Sequence, residues 1–539
     1  MSESHSAGTK PIWQDMATTH RHGEQVSPVS VDVCIIGGGM TGLTAADILK
    51  RSGKTVAVID LGQIGSGETG ATSAHLTEVF DIDYRDLIGR FGLAGARLAS
   101  QSAREAIEHI EKTVRIYDLK CDFSRVDGYQ FTENPIEADD LKQEAEAASS
   151  LGIANQLVTQ IPLPFKTSGA IRFDNQAQLN PRTYLEGLAS RIPGQGSYLF
   201  EETRMLEVEE GTPCRVITDR STIVAQDVIV AAHVPSLNRF YLHSKIAAYR
   251  TYSIAARVTD TVEGQNLFWD INQPYHYIRS VELNGIPHLI IGGEDHKTGQ
   301  DTHTGAHYKN LEEWIRQRFR LEAITHHWSG QIIETVDGLP YIGRNTRSEH
   351  VFVATGFSGT GLTFGTVAAR LISDLILGVK NPYVELYDAN RVKPWSAMKN
   401  FIAENIDFPS HLISDRFSAV QKSGAETLRE NQGAILRVGA KKVAAYRDPE
   451  GHLHMMSPVC PHLGCYVNWN EAEKSWDCPC HGSRFAPTGR LLNGPALSDL
   501  ASESFDENIP LTPEPYEKPT LAMDPFNPML TTFMCPCKT

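Results

Sequence analysis

A polar lead-in, residues 1–30, gives way abruptly at Val31 to an apolar run, Val31–Ile36. Glycines follow, then apolar residues at helical spacing from about Thr41 to Ser52, then a second apolar run, Thr55–Ile59, closed by Asp60. Strand, turn, helix and strand in this order predict the opening of a βαβ unit. Helical periodicity returns at 84–118, 136–151 and 308–320. Between 197 and 260 β-branched residues alternate with polar ones, and Asn284-Gly285 within HYIRSVELNGIPHLIIGG predicts a hairpin turn. A strand at His350–Ala354 runs through a Gly-rich turn into a helix over Thr363–Leu377. Residues 396–425 read as a connector, 426–510 as a small β-rich unit and 511–539 as a Pro-rich tail.

Length bears on how these elements group: 539 residues exceed one core, since domains run to roughly 100–200 residues. The longest apolar stretch, near Leu362–Gly378, is broken by Arg370 and Asp374, short of the about 18 uncharged residues a membrane helix needs. The first 28 residues, MSESHSAGTKPIWQDMATTHRHGEQVSP, contain neither an apolar export core nor twin arginines, so a cytoplasmic protein is expected. Fifty Lys+Arg against 65 Asp+Glu give a net charge of −15, the wrong sign for a nucleic-acid binder. Nine cysteines are too few for a disulfide scaffold of this length, yet four of them fall between 460 and 480.

The first chemical motif is the turn Gly37-Gly38-Gly39-Met40-Thr41-Gly42, a G-x-G-x-x-G sequence between a strand and a helix. Gly37 permits the tight turn, Gly39 admits a pyrophosphate to the backbone, and Gly42 lets helix and strand pack closely. The helix start, with Met40 and Thr41, offers amides to phosphate, and Asp60 is placed to accept from ribose hydroxyls. FAD and NAD share this fingerprint. The second small-residue run, Gly65–Thr77, resembles the flavin loop of FAD-dependent amine and amino-acid oxidoreductases of the D-amino-acid oxidase superfamily. So do Asp337–Gly343, Val351–Gly365, Phe173–Ala189 and the strand ending Ala231-Ala232-His233. The resemblance spans residues 31–395 and implies an FAD-binding Rossmann-like part (31–80, 170–235, 330–395) interleaved with an antiparallel substrate subdomain, an α/β (α+β) fold. It further implies FAD contacts at Gly67, Thr69, Thr72, Ser73, Ala74, Met205, Gly356, Thr360, Gly361, Leu362 and Thr363. Relatives with T-G-H-T-T-A-K at 69–75 differ here at Ala71 and His75, so FAD is expected to be held non-covalently. On the substrate side the resemblance implies Tyr277, Arg279 holding a carboxylate through its planar fork, and Lys297 biasing the flavin.

The second motif is CPHLGCYVNWNEAEKSWDCPCHGS, residues 460–483. Cys460-x-His462 and Cys478-x-x-His481 each pair one thiol with one imidazole. Zinc modules pair like with like, whereas a Rieske cluster needs mixed pairs, because one iron takes two thiolates and the other two imidazoles. The segment resembles Rieske proteins of the quinol-oxidising type. That likeness implies a disulfide between Cys465 and Cys480, a hydroxyl donor at Ser483, a covering loop at Asn493-Gly494-Pro495, and Phe485 in place of a hydrogen-bonding Tyr, which lowers the potential. His303, His307, His326 and His327 have no carboxylate at the spacing of an iron triad and read as solvated; Cys535 and Cys537 read as a terminal tail.

Together the motifs imply oxidation of a small amine or amino-acid-like substrate at FAD, with single electrons passing through a 2Fe–2S cluster to an external acceptor or O2. The alternatives are a non-catalytic electron carrier or redox sensor for a partner protein, and a Rieske oxygenase.

Overall fold

The computed structural model describes residues 9–16, 22–23, 25, 27–237, 242–260, 262–301, 303–391, 428–438 and 441–503. The expected connector (396–425) and the Pro-rich tail with Cys535 and Cys537 lie outside them.

Strand Val29–Ile36 sits at the centre of the first sheet. Parallel neighbours are Thr222–Val230 and Val351–Thr355 on one side, Val56–Ile59 and Tyr198–Phe200 on the other. Both faces of that strand are covered: Val33 and Ile35 pack into one core, Cys34 and Ile36 into another. Its continuous apolar run is what a parallel sheet buried on both sides requires. Helix Met40–Arg51 follows it and packs on helix Gly361–Leu377, one layer of the larger core.

A second, mostly antiparallel sheet has nine strands, with the long Ile246–Val258 between Leu321–Thr335 and Ile286–Lys297. Strands Gly169–Gln178 and Leu321–Thr335 both belong to this sheet, so the segments expected to begin at 170 and 330 each open with a strand of the substrate sheet. The Asn284-Gly285 hairpin forms, with Leu283 opposite Ile286. Helix Gly305–Arg318 covers the far face of this sheet, packing Leu311, Trp314 and Ile315 on Ile254, Leu289 and Ile291. The predicted 84–118 helix is Tyr84–Tyr117, bent at Gly92, whose φ of 69° and ψ of 166° leave the helical region.

One irregularity shapes the site. Between the pairs Arg250/His296 and Tyr252/Gly293, two residues on the Ile286–Lys297 strand oppose one on its neighbour. Such a β-bulge changes which face the following side chains take, and Glu294 there adopts a φ of 58°.

The C-terminal unit holds a three-stranded sheet, Gln432–Val438, Lys441–Arg447 and Leu453–Met456, and a four-stranded sheet running from Asn468–Asn470 to Leu491–Asn493. It docks on the far face of the substrate sheet and also reaches the first sheet's side, where Arg204 meets Asp499 at 3.0 Å. Glu473, fully buried, meets Arg250 of that sheet at 3.6 Å and Arg484 of its own unit at 3.8 Å, while Arg484 also holds Asp477 at 3.0 Å. The Tyr308 hydroxyl adds a 2.6 Å bond to Glu473. Removing one member of a buried charge group strands its partners; Glu473→Ala therefore costs ~3–5 kcal/mol. The check is thermal unfolding, where the midpoint of the variant falls well below that of the unaltered protein.

Candidate functional site

The nucleotide turn is built by contact between backbones. Gly37 has a φ of +109°, and a Cβ on Gly42 would stand 1.9 Å from the Gly37 carbonyl oxygen. Gly42→Ala therefore opens the turn, and the variant is expected to purify without bound flavin; full flavin absorbance would contradict this reading of the turn. Asp60 accepts from the Gly38 N–H at 2.7 Å and the Gly62 N–H at 2.8 Å. Burial pushes its carboxyl up to about 6 despite these donors, a cost that ribose hydroxyl donors would offset.

From this turn a cavity of about 1180 Å³ runs to the second sheet. Of the expected FAD contacts, Gly37, Gly39, Met40, Thr41, Asp60, Gly67, Thr69, Thr72, Ser73, Met205, Thr360, Gly361 and Leu362 line it. Gly42, Ala74, Gly356 and Thr363 stand outside the lining; Thr363 donates to the Thr77 carbonyl, tying the helix start to the flavin loop. The N-terminal end of helix Gly361–Leu377 opens on the cavity and offers its amides to an electron-rich ring. A long cavity ending at a helix start, with a carboxylate at the other end, suits an extended dinucleotide.

On the substrate side the structure rearranges the expected roles. Tyr277 lines the cavity, its hydroxyl 2.9 Å from Ser253 Oγ and its ring edge-on to His75 at 5.7 Å. Arg279 does not face substrate. It is buried, and Nη1 donates to the carbonyls of Ser73, Ala74 and Leu179 at 3.0, 2.9 and 3.1 Å. Two residues along the same strand from Tyr277, it is spent propping the flavin loop, so the expected carboxylate contact is corrected. Lys297, opposite Tyr249 at the strand end, is likewise outside the lining.

The bulge brings Asp295 into the cavity instead, beside Tyr275 and Thr251. Burial pushes its carboxyl up to about 7, against hydroxyls that favour the anion. His75 also lines the cavity, 2.9 Å from Ser73 Oγ, and burial with nearby Arg279 pushes its pKa down to about 3, so it is neutral at pH 7. Both residues were missed in the sequence: Asp295 lies in the stretch GGEDHK, and only the bulge shows which of its side chains turns inward.

In the C-terminal unit, two tight loops present the mixed ligand pairs. Cys460 N–H donates to the Cys465 carbonyl at 2.8 Å, and Cys478 N–H to the Ser483 carbonyl at 2.8 Å. The Cys460 and Cys478 thiols are buried and in mutual contact, and the His462 and His481 rings lie edge to face at 4.9 Å. A disulfide joins Cys465 to Cys480 across the loop tips. Ser483 Oγ accepts from the Ala496 N–H at 3.0 Å, leaving its proton to point at the thiols. Two thiols and two imidazoles converging in a buried pocket are the donor set of a Rieske cluster. Its imidazole edge is capped by His243, whose ring lies 4.6 Å from His462 and 5.0 Å from His481.

The two centres share a wall. Leu491, Asn493 and Gly494 line the cavity, Asn493 Nδ2 donates to Glu68 at 3.1 Å, and Gln331 Nε2 donates to the Gly482 carbonyl at 2.9 Å.

Comparison with known proteins agrees with both halves. Residues 32–375 match the family described as FAD dependent oxidoreductase (DAO), and residues 419–504 match the Rieske [2Fe-2S] domain. The chain is 34% identical to a putative Rieske 2Fe-2S iron-sulfur protein, YhfW, of Bacillus subtilis, over 88% of this chain and 94% of that one. It is 23% identical to gamma-glutamylputrescine oxidoreductase of Escherichia coli, over 65% of this chain and 84% of that one. Glycine oxidase from Geobacillus kaustophilus superposes with a TM-score of 0.58 at 20% identity, covering 68% of this chain and all of the other. Among the described residues no helix is long and apolar enough to cross a membrane. Cofactor cradle, paired thiol–imidazole loops and matched families agree: the chain belongs to the DAO family of FAD-dependent oxidoreductases and carries a Rieske 2Fe–2S domain at its C-terminal side.

Proposed function

We propose that the protein oxidises a small amine at FAD and sends the electrons one at a time through the Rieske cluster to an external acceptor. The observation that carries the choice of amine over amino acid is the pairing of Asp295 inside the cavity with Arg279 turned away from it. A carboxylate-bearing substrate would want the reverse. The lining also holds Asp81, Asp83, Asp86, Asp140 and Glu144 against Arg85, which meets Asp83, Asp140 and Glu144, and Arg90, which meets Asp86; the carboxylates still outnumber the guanidiniums, and an excess of one sign draws the opposite charge inward. The E. coli relative named for gamma-glutamylputrescine supports the same class.

When bound, FAD supplies the two-electron acceptor and the cluster the one-electron outlet. The chain's residues do the rest. Asp295 receives the substrate ammonium and accepts its proton, since an amine must be neutral before its α-hydrogen can leave as hydride. Loss of two electrons and two protons leaves an imine, which water hydrolyses to a carbonyl compound and ammonia or a smaller amine. Tyr275 and Tyr277 frame the reacting carbon, and neutral His75 adds no positive charge to repel the substrate. Ala71 offers no nucleophile, so this residue would hold FAD by contact and not by a covalent bond. The shared wall of Asn493, Glu68, Gln331 and Gly482 supports the relay.

The test is anaerobic reduction with mono- and diamines in parallel with amino acids, following flavin absorbance and the cluster EPR signal. Amines are expected to bleach the flavin and raise the reduced-cluster signal. Bleaching by amino acids alone overturns the substrate class; a bleached flavin beside an oxidised cluster overturns the relay.

A further inference from the structure

On the face of the substrate sheet opposite the flavin cavity, the bulged strand end and helix Gly305–Arg318 bring together His296, Asp301 and His307. One ligand atom from each lies within 4.8 Å of the others. His307 Nε2 is 2.8 Å from Asp301 Oδ2, and the two imidazole rings stack with centroids 4.6 Å apart. Behind the rings, one nitrogen has a hydrogen-bond acceptor and the other a carboxylate at ion-pair distance. His296 Nδ1 lies 2.9 Å from the Lys297 carbonyl, and His307 Nδ1 lies 3.6 Å from Glu294 Oε2. Asn310 Nδ2 fixes that carboxylate at 2.7 Å. The Lys297 carbonyl behind His296 Nδ1 sets the tautomer whose Nε2 carries the lone pair, and His307 Nε2, now against Asp301, is the nitrogen an ion would take over. The Tyr252 ring stacks on His307 at 4.8 Å, and its hydroxyl donates to His296 Nε2 at 3.0 Å, a bond that a metal ion at this nitrogen would replace.

We propose that His296, Asp301 and His307 bind one divalent transition-metal ion through two imidazole nitrogens and a carboxylate oxygen. Two nitrogens and one oxygen suit zinc or iron(II), whereas magnesium and calcium prefer all-oxygen sites. Spacing alone groups His307 with His303; the fold pairs it instead with His296, and Asp301, two residues before His303, completes the set. The site faces away from the flavin cavity, so its role is to hold rather than to oxidise. It lies beside the seat of the Rieske unit: Asn468 Nδ2 donates to the Gly299 carbonyl at 2.8 Å, and Ala472 N–H to Thr304 Oγ1 at 3.1 Å. A Cβ on Gly299 would stand 2.8 Å from the Asp477 carbonyl oxygen, directly before the ligand Cys478. An ion joining the strand end to the helix would fix the surface on which that ligand loop rests.

The experiment is elemental analysis of the full-length protein loaded with FAD and cluster, after dialysis against zinc chloride or, anaerobically, iron(II), followed by desalting. The unaltered protein is expected to retain one equivalent of metal beyond the two cluster irons, and comparison of the two arms identifies the ion. His296→Ala and His307→Ala lose that equivalent while flavin absorbance and cluster EPR persist; His452→Ala, at an exposed histidine, keeps it. Should either alanine variant fail to fold, near-isosteric Asp301→Asn provides the same reading. An unaltered protein with no third metal in either arm, or a folded variant of any of the three residues that retains it in full, overturns the proposal. The cluster would then be an ion pair of His307 with Asp301 and Glu294.

Discussion

Asp295→Asn is expected to lower kcat/KM for an amine substrate by ~100-fold or more, the scale of losing a positioned acid–base group. The same change should flatten the pH profile. In the folded protein the Asp295 carboxyl sits near 7, and a cationic substrate favours its ionised form. Activity of the unaltered enzyme therefore rises as pH climbs from 6 to 8 and falls as the carboxyl is protonated. Stability runs the other way. A carboxyl raised above its unfolded value of 3.8 binds its proton more tightly in the folded state. Its contribution is present in full at low pH and is lost as pH passes 7. The asparagine variant should accordingly be more heat-stable than the parent at pH 8 and no more stable at pH 5. Higher stability with lower activity separates a functional carboxylate from a structural one; a variant that keeps the activity limb near pH 7 removes Asp295 from the proton path.

Cys478→Ser should abolish the Rieske EPR signal and the cluster iron, because serine does not replace a thiolate as ligand to this iron. Flavin content should be unchanged, since no expected FAD contact is altered. The informative readout is the split between half-reactions: anaerobic reduction of flavin by substrate persists, while steady-state turnover with a one-electron acceptor collapses. Were turnover to survive at the parent level, electrons would be leaving from the flavin directly and the cluster would serve another purpose. His481→Ala provides a second route to the same loss, on the iron held by imidazoles.

The cofactor cradle and the paired thiol–imidazole loops were legible because each is written in a short contiguous segment whose chemistry fixes its geometry. G-x-G-x-x-G needs a strand before it and a helix after it, and the 460–483 run carries two mixed thiol–imidazole pairs within 24 residues. Asn284-Gly285 fixed its hairpin for the same local reason. On the substrate side only the position of Tyr277 at the cavity was legible. A strand's alternation assigns faces only while its register is unbroken, and the bulge at Gly293–Asp295 exchanges them. Arg279 was expected to meet substrate because arginine suits a carboxylate, yet it is three backbone carbonyls, distant in sequence, that claim it. The cap of His243 on the cluster and the Glu473 network arise from tertiary docking, which no local pattern records.

The buried charge network around Glu473 bears on the kinetics of the proposed relay. A separate carrier must find its donor by diffusion, at a rate set by concentration and by salt. Here the carrier is fused to the donor and seated on it by ion pairs removed from solvent, where mobile ions screen little. The effective concentration of one centre at the other is that of a permanent neighbour. Electron passage between them should be first order, unchanged by dilution and nearly indifferent to ionic strength, so that sensitivity to either places the slow step at the encounter with the outside acceptor.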